Sequence, residues 1–136
     1  MLAIPDSVLR TQGPLTPEQY ELVRSHTIIG DELCSNLRSL QAIRPIVRSH
    51  HERLDGSGYP DGLRGDNVPL LAQIIGIVDT FDGITSRRAY HQEESAAEAL
   101  AQLRRHVALG WRREDVVTAL ADLVVYGKLG AVAVGP

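Results

Sequence analysis

Cysteine is nearly absent from this sequence: Cys34 stands alone. No disulfide can form within the chain, which fits a reducing compartment, and the lone thiol reads as a small helix residue. A surplus of basic charge is missing too. Lys and Arg number 14 against 17 Asp and Glu, a net charge of −3. That balance argues against binding a nucleic-acid polymer or an anionic membrane, but leaves room for a local basic pocket that takes a small phosphate ligand. The opening MLAIPDSVLR has no basic stretch followed by a long apolar run, so it does not read as a signal peptide. The most apolar stretch, Val116 to Val134, is interrupted by Asp122, Gly127, Lys128 and Gly130 and falls short of a membrane span. No internal repeat or low-complexity tract is present. The expectation is a cytoplasmic chain with one domain, because 136 residues with 43% apolar and 23% charged character can close one modest core.

Alternating strand patterns are also lacking, and helical periodicity takes their place, so the fold class is all-α. Residues 1–15 read as irregular, punctuated by Pro5, Gly13 and Pro14. Thr16-Pro17-Glu18-Gln19 is a helix start: Thr16 caps, Pro17 suits the first helical position, and Gln19 sits where a capping-box partner belongs. A helix from about Pro17 to Leu37 follows. A second runs from about Leu40 to Glu52, with Ile43, Ile46, Val47 and His50 at helical spacing. Pro45 either kinks it or marks its start. Residues 53–69, RLDGSGYPDGLRGDNVP, form a glycine-rich loop of a length that is uncommon in a compact domain unless functional. A third helix spans about Leu70 to Thr85, is apolar almost all round in its first half, and reads as the central buried helix. Helices from about Ser95 to Ala108, closed by Gly110, and from about Arg113 to Val125 complete the chain.

The chemistry-bearing residues gather around the loop. His50 and His51 are adjacent near a helix end. Neighbours on an ideal helix diverge by about 100°, so the two imidazoles would struggle to reach one ion. They would serve two ions, or one would ligate while the other meets substrate; alternatively they are two helix-end histidines favouring the dipole. Asp79 is a carboxylate within an apolar helix, where burial demands a partner, and a metal ion is one. Asp82, three residues on, either orients a ligand or braces the helix end. His26 is an isolated imidazole in the first long helix, and His91 and His106 sit beside charged stretches and read as surface histidines. Glycines let backbone amides approach a phosphate, and Tyr59 offers a flat face and a hydroxyl. Arg53, Arg64, Arg87 and Arg88 are candidate phosphate or guanine partners.

These residues resemble a known family. The run His50-His51-Glu52-Arg53-Leu54-Asp55-Gly56-Ser57-Gly58-Tyr59-Pro60 is similar to the HHExxDGxGYP signature of HD-GYP domains. Gly62-Leu63, Gly65, Val68-Pro69 and the segment Asp79 to Ser86 continue the likeness, as do Ile4-Pro5-Asp6, Leu15-Thr16, His26 and Gly30. The resemblance covers about residues 1 to 125. It implies a helical bundle of the HD-domain superfamily, with residues 1–136 as part of an HD-GYP domain, the signature over 50–90 and C-terminal helices over 95–125. It implies a phosphodiesterase that hydrolyses cyclic di-GMP to the linear dinucleotide or GMP, using two or three divalent ions, iron or manganese. By resemblance His26, His50, His51 and Asp79 are metal ligands; Gly58, Tyr59 and Arg88 line the nucleotide pocket with Arg53 helping; Asp55 and Asp82 stand behind them. The loop also implies contacts with signalling proteins.

The sequence departs from the family pattern in three places. Gly83, Arg87 and His91 differ from the DALTSDRPYR segment, which puts substrate handling in question. In the family the Ile-Pro-Asp segment follows an HDxGK motif, where Met1-Leu2-Ala3 stands here. Two divalent ions held close together repel strongly, and the aspartate of that motif would bridge them. The expectation is therefore that this chain alone binds at most one ion tightly and has little or no phosphodiesterase activity. A non-catalytic module that binds a nucleotide or a protein partner is the alternative, and a phosphohydrolase acting on another cyclic dinucleotide is a third reading. Uncovered apolar faces on the Leu70–Val78 helix would favour an oligomer.

Overall fold

A computed structural model describes residues 4–9, 11, 13–86 and 95–127, with Asp6 and Leu9 described by backbone alone. Helices α1 (Asp6–Leu9), α2 (Pro17–Arg24), α3 (His26–Ser35), α4 (Arg44–Ser49), α5 (Leu70–Thr85), α6 (Ala96–Ala108) and α7 (Glu114–Val125) follow in order. Among the described residues there is no strand, so the all-α class holds. A short helical turn over Asp6–Leu9 lies in the stretch expected to be irregular.

The starts were written into the sequence. Thr16 Oγ1 accepts the Gln19 amide at 3.3 Å while the Gln19 side chain accepts the Thr16 N–H at 3.0 Å, closing the expected box. Ser95 and Glu98 make the same reciprocal cap on α6, and Gly110, at φ +74°, ends that helix in the left-handed region.

Two expected helices are broken instead. The one expected over Pro17–Leu37 divides at Ser25. There the Ser25 hydroxyl donates to Leu22 O at 2.7 Å, the His26 ring to Val23 O, and Thr27 Oγ1 to Arg24 O at 3.1 Å. Three successive side chains thus compete for carbonyls of the preceding turn, which bends a helix. The one expected over Leu40–Glu52 is a 3-10 turn over Arg38–Ile43 followed by α4, which begins beside Pro45, where a missing N–H is harmless, and stops at Ser49.

Helix α5 has the expected bounds but not the expected burial. Ala72, Gln73, Gly76 and Ile77 are buried, whereas Leu70, Leu71, Ile75 and Val78 are exposed. The all-round apolar pattern conceals a single inward stripe.

That stripe meets α6 and α7. Ile77, Leu100, Leu103, Val117, Leu120 and Ala121 form the core, with Phe81, Val107, Val116 and Val124 against it. The other layer, α3 on α4, is held differently. Its buried residues are Thr27, Asp31 and Ser49. A Cβ on Gly30 would lie 2.7 Å from Val47 Cγ1, so the Val47 side chain packs directly on the backbone of α3 there. Asp31 takes Arg44 at 2.7 and 3.3 Å and Arg48 at 3.4 Å. No helix among the described residues is long and apolar enough to cross a membrane.

The core assignment predicts that Leu103→Ala, at a fully buried position, costs about 2–5 kcal/mol in urea unfolding. Leu71→Ser, on the exposed face, should shift stability by no more than about 0.5 kcal/mol.

Candidate metal centre

Three histidines from two helices meet at one point. His26 opens α3, His50 caps the end of α4, and His51 follows it. Each offers a ring nitrogen, and these nitrogens all lie within 4.8 Å of one another. The His50 and His51 rings are 4.2 Å apart between centroids, and those of His26 and His51 5.0 Å. The 100° divergence expected for helix neighbours does not apply, because α4 ends at Ser49 and His51 lies in the turn beyond it.

The ring tautomers follow from the carbonyls they meet. His26 Nδ1 donates to Val23 O and His50 Nδ1 donates to Val47 O at 2.7 Å. A carbonyl only accepts, so a proton sits on each Nδ1, and in the neutral form of each ring Nε2 carries the lone pair. Those two Nε2 atoms face each other at 3.4 Å. Two bare acceptors pointed together repel, and a cation between them removes the conflict. Two nitrogens each about 2.1 Å from one ion can be this far apart. Burial pushes the His50 imidazole below its ordinary pKa. Burial, then the neighbouring His50, His26 and Arg112, pushes His51 down to about 3. Both rings are therefore neutral ligands at neutral pH. The residues fit a divalent ion.

Asp79 stands apart from this group. Its side chain is exposed, not buried within α5 as the apolar pattern suggested, so the burial argument for a partner fails. It sits one turn beyond Gly76, where α5 touches α4, and its negative charge acts on His50, Tyr59 and Arg112. Asp82 is exposed and accepts the Ser86 hydroxyl at 3.0 Å, the helix-end brace that was one of its two readings.

The glycine-rich loop is fixed beside the histidines by Glu52, which sequence reasoning passed over. Its buried carboxylate accepts the backbone N–H of Asp61 at 2.7 Å, Gly62 at 3.1 Å and Leu63 at 3.0 Å. Gly62, at φ +65°, turns its amide inward. Arg48 grips Asp61 at 2.7 and 2.8 Å from outside. Asp55 Oδ1 accepts the Ser57 amide at 2.9 Å and its hydroxyl at 2.7 Å, bracing the next turn. Arg64 lies exposed across the loop and pairs by backbone with Asp55. A Cβ on Gly58 would collide with the backbone of Glu52 and Arg53, so only glycine closes the loop this tightly. Tyr59 consequently stacks on His51, centroids 4.9 Å apart and tilted 22°. Burial first, then the neighbouring Tyr20, pushes its hydroxyl up to about 12, so it stays a donor.

A cavity of about 250 Å³ opens between this loop and the turn after α6. His51, Gly58 and Tyr59 line it with Arg53, Thr80, His106, Trp111 and Arg112. The Arg53 guanidinium lies 3.6 Å over the Trp111 ring. His106, read as a surface histidine, is half-buried against Trp111. Trp111 and Arg112 carried no spacing signal, since they join the site only through tertiary packing. Arg87, Arg88 and His91 lie outside the described residues.

Glu52→Gln replaces an acceptor by a donor facing three N–H groups. It should cost about 1–3 kcal/mol and remove the ring-current shift that Tyr59 imposes on His51 in NMR spectra.

Residues 1–111 match the family described as HD domain. The chain is 40% identical over 104 residues to a cyclic di-GMP phosphodiesterase of Thermotoga maritima, covering 75% of this chain and 28% of that protein. It is 45% identical over 104 residues to the cyclic di-GMP phosphodiesterase response regulator RpfG of Xanthomonas campestris pv. campestris, with the same coverage. It is 37% identical over 111 residues to the 3'3'-cGAMP-specific phosphodiesterase 2 of Vibrio cholerae, covering 77% of this chain and 21% of that one. The chain thus spans between about a fifth and under a third of the length of these relatives. In structure it is similar to a HDG"Y"P protein from Bdellovibrio bacteriovorus, with a TM-score of 0.66, 23% identity, and coverage of 83% of this chain and 36% of that one.

Proposed function

The chain belongs to the HD-domain family, with a signature run of the HD-GYP type, and from that premise we propose that it carries the metal-binding and nucleotide-binding elements of a phosphodiesterase acting on cyclic di-GMP. The observation that carries this reading is the convergence of three imidazoles beside a tyrosine-bearing loop whose backbone is locked in place. Relatives named for cyclic di-GMP hydrolysis support it.

In this reading residues 1–136 form part of an HD-GYP domain. His26, His50 and His51 hold a divalent ion, iron or manganese, and Asp79 contributes its charge from α5. When bound, the ion supplies Lewis acidity at a phosphoryl oxygen and lowers the pKa of water at the site. Tyr59 offers a ring face to a base and keeps its hydroxyl proton to donate. Gly58 keeps the loop tight against residues 52 and 53 at the edge of the cavity where the nucleotide would sit. Arg53, spread over Trp111, presents N–H groups to phosphate or guanine, and Arg88 serves the same pocket by family likeness. Asp55 keeps the loop in shape from behind.

A relative specific for 3'3'-cGAMP keeps a second substrate in view, since both dinucleotides share two phosphodiesters and a guanine. Protein partners docking on the loop, and self-association through α5, belong to the same proposal.

Three convergent imidazoles define one ion. Calorimetry with Mn2+ should find about one equivalent bound, and His50→Ala or His51→Ala should weaken it by about tenfold or more. Turnover of cyclic di-GMP by this chain alone should be slight. Absence of Mn2+ binding would defeat the reading of the histidines. Two tightly held ions with rapid turnover would contradict the one-ion reading.

A further inference from the structure

The strongest unexplained feature is Arg112. Its side chain comes from the turn before α7 and lies against α5, where a Cβ on Gly76 would reach its Nη1 at 2.7 Å. It donates to the Glu52 carbonyl at 3.1 Å. That partner is neutral. Among the described residues no carboxylate forms an ion pair with Arg112, and Asp79 acts on it only through space. Burial pushes the guanidinium below its ordinary pKa, and the charge of Arg53 pushes it the same way. Arg53 likewise has no carboxylate pair among the described residues. It lies flat on Trp111 and reaches Ser57 Oγ at 3.4 Å.

Two like charges thus line one cavity of about 250 Å³ whose lining holds no carboxylate, with Asp79 acting on Arg112 and Asp55 interacting with Arg53 only through space. Holding unpaired charge partly out of water is costly unless an anion completes the site. The guanidinium fork suits phosphate. His106 adds a ring whose Nδ1 is buried with no hydrogen-bond partner. The cavity is shared with His51 and Tyr59.

We propose that Arg112, with Arg53 beside it, forms an anion subsite that seats the phosphate of the dinucleotide which the histidines do not hold. The inference deepens the phosphodiesterase reading and rests on it for the identity of the ligand, while the subsite itself requires no metal. The competing role is structural: Arg112 ties down the Glu52 carbonyl in the turn beyond α4.

Trp111 is the single tryptophan of the chain, so its fluorescence reports this cavity alone. The test titrates inorganic phosphate, then cyclic di-GMP, into the full chain with metal removed by chelator. A saturable change in Trp111 emission that weakens with added salt is expected. Arg112→Met, which keeps the apolar stem, should weaken phosphate binding roughly tenfold to a hundredfold. Arg53→Met, at the rim, should weaken it in the same direction and decides the matter if Arg112→Met does not fold. Wild-type binding retained in both variants would overturn the subsite. So would the absence of any phosphate response in a chain that still binds Mn2+, an outcome that spares the histidine reading. A phosphate response in a chain that binds no Mn2+ would uphold the subsite and remove the metal centre instead.

Discussion

One buried carboxylate organises the site. Glu52 follows directly after His50 and His51, and its two oxygens are consumed by three backbone amides of residues 61–63. A carboxylate that accepts several amides is satisfied without a cationic partner, so it can be fully buried. The consequence is geometric. The residue next to the histidines is tied to the far side of the loop, and the intervening backbone has a single course. Gly58 lies against residues 52 and 53 along that course, and Tyr59 is delivered to the face of His51. The imidazoles and the tyrosine are therefore parts of one rigid unit.

The two layers of the fold divide the labour. Apolar burial is concentrated where α5, α6 and α7 meet, and none of those core side chains lines the cavity beside the histidines. The histidine layer is held by hydrogen bonds and ion pairs. Asp31, Arg44, Arg48 and Asp61 link α3, α4 and the loop in a chain of charge-assisted contacts. Partly exposed pairs of this kind contribute little individually, and their value here is positional. The layers join at Gly76, which lets α5 approach the His50 carbonyl, and at Arg112, which donates to the Glu52 carbonyl. An apolar scaffold thus carries a polar site at its edge.

Much of this was legible in the sequence, for local reasons. Capping chemistry at Thr16 and the periodicity of residues 70–85 are short-range signals, and both elements begin where those signals place them. The long motif around His50 to Pro60 located the site because so many of its residues are constrained by one loop. What the sequence did not disclose came from tertiary packing. The break at Ser25 arises from three side chains competing for carbonyls. Asp79 lies in an apolar run yet faces outward, since only one stripe of α5 is covered. Glu52 stood in the sequence only as one position of that motif, and its three amide partners meet it only once the loop has folded. Arg112 and Trp111 are far from the motif along the chain and reach it only after α6 folds back.

The central claim is that His26, His50 and His51 act as one ligand set. The most direct measurement is paramagnetic NMR of the histidine-labelled chain with Mn2+ added in small steps. The account predicts that the ring Hε1 resonances of all three broaden together at the same low ion concentration. Broadening confined to one of them, or to exposed carboxylates while the three imidazole signals persist, would contradict it.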